Sequence, residues 1–191
     1  MKIGVLALQG AFVEHISVVQ RLGAEASPVR LPDELDELDG LIIPGGESTA
    51  ILKLMQSFSL IQPLRELAKG GFPIWGTCAG MVCLAKEISH GDMETLAAMD
   101  IVVKRNAFGR QVDSFETELM VPALGDKPFP AVFIRAPVIE NADSRVDILA
   151  RLPDGTAVAA KQGKLVVTAF HPELSDDPRF HRYFLEIVNS H

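Results

Sequence analysis

Only two cysteines occur in the 191 residues, Cys78 and Cys83. Two are too few for a disulfide framework or a cysteine zinc site, so both are predicted to be reduced thiols. Basic residues are also scarce: 18 Lys and Arg against 25 Asp and Glu leave a formal net charge of -7. Binding nucleic acid requires clustered cations to neutralise phosphates, and there is no such cluster. Long apolar runs are missing as well. The stretch Ile3 to Leu8 ends at Gln9-Gly10, too short for a signal-peptide core, and no later run reaches membrane-spanning length. These absences predict a cytoplasmic protein with neither a membrane nor a nucleic acid among its partners. No internal repeat, low-complexity tract or long linker interrupts the chain. Residues 1–191 therefore read as one domain, and 48% apolar content is enough for a substantial core.

The first half alternates apolar runs with helical patterns. Lys2 to Leu8 reads as a buried strand, followed by Phe12, Ile16 and Val19 at helical spacing with Gly23 as a stop. Leu41 to Ile43 reads as a second strand, closed by Pro44-Gly45-Gly46, before a helix marked by Ile51, Leu54, Met55 and Phe58. Phe72 to Trp75 forms a third, leading through a turn at Cys78 to a helix starting with Met81, Val82 and Leu84. This alternation predicts an α/β fold with an open, mostly parallel sheet and helices on both faces, a flavodoxin-like three-layer sandwich. From about Asp100 the pattern changes to short strands: Ile101–Val103, Ser114–Leu119, Ala131–Ile134, Val146–Leu152, Ala157–Lys161 and Leu165–Ala169. Gln162-Gly163 reads as a hairpin turn and Pro122 to Pro130 as a loop. Phe180, Tyr183, Phe184, Ile187 and Val188 mark a C-terminal helix.

The sequence Gly76-Thr77-Cys78-Ala79-Gly80, between a strand and a helix, has the layout of a nucleophile elbow with sulfur in place of oxygen. The central residue of an elbow adopts a strained backbone, and its neighbours two positions away must be small. A helix N-terminus and a nearby histidine favour the reactive thiolate over the thiol. Read alone, Cys78 would be a small buried hydrophobe, and Cys83, inside the helical pattern, is assigned to the core. Among the histidines, His171 follows the strand Leu165–Ala169 in Phe170-His171-Pro172-Glu173, at the sheet edge where active-site residues gather. In an extended segment Glu173 would share a side with His171 and could orient its ring. His15 and His181 fall within amphipathic helices and are predicted to be surface side chains; His90 and His191 have no supporting pattern. Acyl transfer also needs oxyanion donors, for which the backbone NH of Ala79 and one from Pro44-Gly45-Gly46 are candidates. The latter is no phosphate loop, since the Gly-Lys-Ser/Thr ending is absent.

Gly-Thr-Cys-Ala-Gly, the distant His171-Pro172-Glu173 and Pro44-Gly45-Gly46-Glu47-Ser48 together resemble the class I glutamine amidotransferases over nearly the whole chain. Two longer strings, Leu6 to Phe12 with Glu14-His15 and Arg105 to Glu116, resemble the glutaminase subunits of pyridoxal 5'-phosphate synthase. The resemblance implies hydrolysis of L-glutamine to L-glutamate and ammonia through a thioester on Cys78, with His171 as base and Glu173 orienting it. It implies Gly46 and Ala79 as oxyanion donors, and Gly46, Glu47, Ser48, Arg105, Ile134 and Arg135 as glutamine-binding residues. It implies no cofactor and no metal, and a separate β/α-barrel synthase subunit as partner in a hetero-oligomer that makes vitamin B6. The alternatives are a different ammonia acceptor, such as the cyclase of histidine biosynthesis, a non-catalytic regulatory module of the same fold, or a related stress-type cysteine hydrolase.

Overall fold

A computed structural model describes residues 1–109 and 113–190. In chain order the elements are β1 (Lys2–Leu6), α1 (Phe12–Arg21), β2 (Glu25–Val29), β3 (Gly40–Ile43), α2 (Ser48–Ser57), α3 (Ile61–Lys69), β4 (Ile74–Thr77) and α4 (Ala79–Leu84). There follow β5 (Ala85–Ile88), β6 (Met99–Lys104), β7 (Ser114–Leu119), β8 (Phe129–Ile134), β9 (Val138–Ala142), β10 (Asp147–Arg151), β11 (Ala157–Gln162), β12 (Leu165–Thr168) and α5 (Arg179–Asn189).

The large sheet runs β2-β1-β3-β4-β12-β11-β9-β6-β5, with β10 paired to β11. Strands β2, β1, β3, β4 and β12 are mutually parallel, whereas the β12–β11, β11–β9 and β9–β6 pairings are antiparallel. Strands β1, β3, β4 and β12 carry the continuous buried runs, as strands covered on both faces require. Strand β4 illustrates the period of two. Trp75 packs against Phe180 and Phe184 of α5, while Gly76 faces Gly80 and Leu84 of α4. Helices therefore cover both faces, as the alternation predicts. Chain order reverses beside β1, whose neighbours are β2 and β3, and the carboxyl ends of β1, β3, β4 and β12 open into one crevice.

Strands β7 and β8 form a separate two-stranded antiparallel sheet. Its Phe133 stacks on Phe115 and contacts Phe170, and Phe129 meets Phe170 and Phe180, so aromatic packing ties this hairpin to the main core. Residues read as the loop Pro122–Pro130 include Phe129 and Pro130 at the start of β8, with Phe129 fully buried. The two-residue turn between β11 and β12 is Gly163-Lys164, one position beyond the predicted pair, because Gln162 pairs with Leu165. Strands β2, β5 and β9 and helix α3 had no counterpart in the sequence reading. Phe58, counted in the α2 stripe, lies exposed beyond the last turn of that helix, and Leu52 is buried on it instead.

Candidate active site

Strand β4 delivers Cys78 directly into α4. Its backbone has φ 48° and ψ -105°, a left-handed conformation that a β-carbon disfavours. The flanking glycines make the turn possible. A Cβ on Gly76 would sit 2.5 Å from the backbone of Gly80, and one on Gly80 would collide with the carbonyl oxygen of Ile43. The Cys78 amide donates to the Thr168 carbonyl at 2.8 Å, locking the elbow to β12, and the thiol lies 3.9 Å from the Ile134 carbonyl oxygen. Cys83 is wholly buried, and desolvation pushes its thiol well above the usual range, which leaves it inert.

His171 leaves β12 and caps a 3-10 turn, Pro172–Leu174, that carries Glu173. Its amide donates to the Val132 carbonyl on β8 at 2.8 Å, and its Nδ1 lies 2.6 Å from Glu173 Oε1. The predicted pair thus forms, but through a turn and not through two residues of an extended strand. Burial opposes the imidazolium of His171, yet hydrogen bonding to Cys78 and Glu173, with their charges, raises its pKa to about 10. Burial also opposes ionisation of Glu173, but His15 and His171 beside it hold its carboxyl below the usual range.

The structure corrects one expectation outright. His15 and His181 are core side chains, not surface ones, with 0% and 1% exposure. His15 stands in helical register with buried Val18 and Val19, and His181 with buried Phe184, so each lies on the inward face of its helix. Their rings pack edge-on against Trp75. His15 Nδ1 lies 2.9 Å from His181 Nε2, and His15 Nε2 lies 3.2 Å from Thr77 Oγ1 and 3.3 Å from Glu173 Oε2. The pKa of His15 is lowered by burial, and that of His181 is lowered by burial to about 2, so both rings are neutral at physiological pH.

Cys78 and His171 open onto a cleft of about 690 Å³, a suitable volume for a small ligand. Gly46, Glu47, Ser48, Ala79, Arg105, Ile134 and Arg135 all line it, while buried Glu173 holds His171 from outside the cleft lining. Gln9, Val82, Asn106, Phe108, Gly109, Asp113 and Pro137 complete the wall. Residues 110–112, inside the string Arg105 to Glu116, lie outside the described residues. Glu47 accepts hydrogen bonds from the Thr49 and Ala50 amides, capping α2; although partial burial opposes its charge, these bonds and Arg105 keep its pKa low. Its own amide donates to Gln9 Oε1 at 2.7 Å, and Arg105 Nη1 donates to Thr49 Oγ1 at 3.2 Å. Asn106, at φ 46°, and Arg135, at φ 42°, are further left-handed residues in the cleft wall. The backbone of Gly45 packs directly on the His171 ring, a contact the sequence reading did not single out. Among the described residues no group of His, Cys, Asp and Glu is arranged to hold a metal, and no helix is long and apolar enough to cross a membrane.

The chain is similar to a pyridoxal 5'-phosphate synthase subunit PdxT of Dehalococcoides mccartyi, 61% identical over 100% of this chain and 99% of that one. A subunit of the same description from Herpetosiphon aurantiacus is 59% identical over 97% of this chain and 99% of its own. A crystal structure of a glutamine amidotransferase superposes with a TM-score of 0.93 at 47% identity, covering 98% of this chain and 99% of that one. PurLQS of Thermotoga maritima, at 16% identity and a TM-score of 0.70 over 97% of each chain, shares the fold alone. The family described as SNO glutamine amidotransferase matches residues 5–190. With nearly every residue inside that match, the chain belongs to the SNO glutamine amidotransferase family.

Proposed function

We propose that the protein hydrolyses L-glutamine to L-glutamate and ammonia and hands the ammonia to a pyridoxal 5'-phosphate synthase subunit. The observation that carries this reading is the meeting, in one cleft, of an elbow cysteine with a histidine held by a carboxylate at 2.6 Å. The Cys78 thiolate attacks the carboxamide carbon, and the amide NH groups of Ala79 and Gly46 hold the resulting oxyanion. Collapse breaks the C–N bond as His171 gives its proton to the departing ammonia. A glutamyl thioester remains on sulfur. Water then attacks that thioester while His171 takes its proton; the C–S bond breaks and glutamate leaves. Glu173 holds the ring so that its other nitrogen faces sulfur throughout.

In this reading Glu47 and Arg105 supply opposite charges for the ammonium and carboxylate ends of glutamine, with Ser48, Ile134 and Arg135 shaping the remaining wall. The partner is a separate β/α-barrel synthase subunit in a hetero-oligomer, and the site of action is the cytoplasm. The continuous core shared by the parallel half, the antiparallel half and the β7–β8 hairpin supports reading residues 1–191 as one domain. Glutamate release, measured with and without the synthase subunit, tests the proposal. Wild type should exceed a Cys78→Ala control clearly in the complex; equal rates would overturn it.

A further inference from the structure

Glu173 uses one carboxylate oxygen for His171, and the other is fully buried with no hydrogen-bond partner among the described residues. A buried carboxylate oxygen left without a donor is costly, so its surroundings call for an explanation. A polar hydrogen is available close by. His15 Nε2 lies 3.3 Å from Oε2, off the ideal direction, with its hydrogen shared toward Thr77 Oγ1 at 3.2 Å. We propose that His15 is a positioning residue for the glutaminase reaction, anchoring the second oxygen of Glu173 and through it the ring of His171. This inference rests on the proposed role of Glu173 and adds a further residue behind it.

The hydrogen-bond roles follow from the neighbours. A carboxylate can only accept, so His15 Nε2 must carry a proton, which leaves Nδ1 bare in the neutral ring. Bare Nδ1 must then accept from His181 Nε2–H, at 2.9 Å. His181 Nδ1 is bare in turn, and among the described residues it too is a buried polar atom without a partner. A bare ring nitrogen costs less to bury than an orphaned N–H, so the chain ends at its cheapest point. His181 thereby selects the tautomer of His15, His15 faces Glu173, and Glu173 faces His171. Mere packing against Trp75 would be served as well by leucine, which would leave Glu173 Oε2 with no donor at all. The charged and titratable groups facing His15 are Glu173, His171, Glu14 and His181, with Arg21 near His181.

The test is glutamine hydrolysis by variants assembled with the synthase subunit, with folding checked by circular dichroism. His15→Leu should lower kcat by roughly 10- to 100-fold, the scale of loss from slightly misplacing a reacting group. KM should stay within about twofold, since no substrate contact is removed. The basic limb of kcat/KM should move to lower pH, because a loosened Glu173 supports the imidazolium less and the proton that His171 gives to ammonia is lost sooner. His15→Gln, whose amide reaches close to the Nε2 position, should restore most of kcat and the basic limb; His15→Asn, whose amide stops near Nδ1, should not. Combining His15→Leu with His181→Leu should slow turnover no further than His15→Leu alone. A folded His15→Leu protein with wild-type kcat, or equal behaviour of the glutamine and asparagine variants, would overturn the inference. If His15→Leu does not fold, the Gln against Asn contrast alone decides it. Glu173→Gln separates the two layers: wild-type turnover there would sink the role of Glu173 itself, whereas a slow Glu173→Gln beside a fast His15→Leu would sink only this inference.

Discussion

Gly45→Ala changes one hydrogen to a methyl at the back of the histidine ring. Gly45 has no left-handed φ, so alanine meets no backbone penalty there. The new Cβ would lie 3.0 Å from His171 Nδ1 and 3.3 Å from Cys78 Cβ, and closer still to His171 Cε1. Carbon atoms settle at about 3.5–4.0 Å, so the ring or the loop must yield by about 1 Å. The ring has nowhere to retreat without lengthening its 2.6 Å bond to Glu173, and Ala11 N holds the Gly45 carbonyl at 3.0 Å. Overpacking of this kind costs about 1–3 kcal/mol, against which the stiffer unfolded chain returns roughly 0.4–1 kcal/mol. The variant should therefore fold with a modestly lowered melting temperature. Its kcat should fall on the order of 100-fold, because the base is displaced from the nucleophile. Glutamate release in the synthase complex and a thermal melt measure the two effects separately. Turnover within about threefold of wild type, in a folded protein, would refute the geometric argument, since so small a loss is under 1 kcal/mol of barrier.

The same geometry predicts further outcomes. Cys83→Ala should leave turnover unchanged and cost about 1 kcal/mol or less of stability, since Cys83 is a core thiol that does not line the cleft; urea unfolding and the glutaminase assay check both. Gly80→Ala should destabilise by more than about 3 kcal/mol, because its Cβ meets the Ile43 carbonyl and no flexible side chain can yield; chemical denaturation measures it. Stability should fall with pH between 6.5 and 5. His15 and His181 have lowered native pKa values, so the unfolded chain binds protons that the native state refuses; His181, lowered to about 2, costs on the order of 1.5 kcal/mol over that window, and His15 adds in the same direction. His171 has the opposite sign: its raised pKa contributes stability fully present below 6.5 and lost as pH climbs toward about 10. Urea midpoints across pH check this, and a flat profile from 6.5 to 5 would contradict the neutral assignment of both buried rings.

The legible parts of the chain were those where one physical demand acts on a few neighbouring residues. The elbow is such a case, since β4, two close-approach glycines and Cys78 are contiguous, and His171 with Glu173 lies at the end of a clear apolar strand. The β-strands that escaped notice lack that signal. Strand β2 carries Pro28 and only one fully buried residue, and β5 starts directly after α4 without a turn. Helix α3 buries only Leu64 among its residues and contains Pro63 in its first turn, where the missing N–H is harmless. The two inward histidines escaped because a helical stripe is recognised by its apolar members. His15 with Val18 and Val19, and His181 with Phe184, do stand at helical spacing, and counting histidine as a buried residue would have found both. The cleft wall is the least legible part. Asn106, Phe108 and Asp113 reach it through the tertiary placement of the loop between β6 and β7, which no local periodicity encodes.

The most direct test is to treat the synthase complex with a glutamine-analogue electrophile and map the modified peptide by mass spectrometry. A single adduct on Cys78, suppressed by excess glutamine and slowed by His171→Ala, is the predicted result. An adduct on Cys83 instead, or no adduct on Cys78 in the assembled complex, would contradict it.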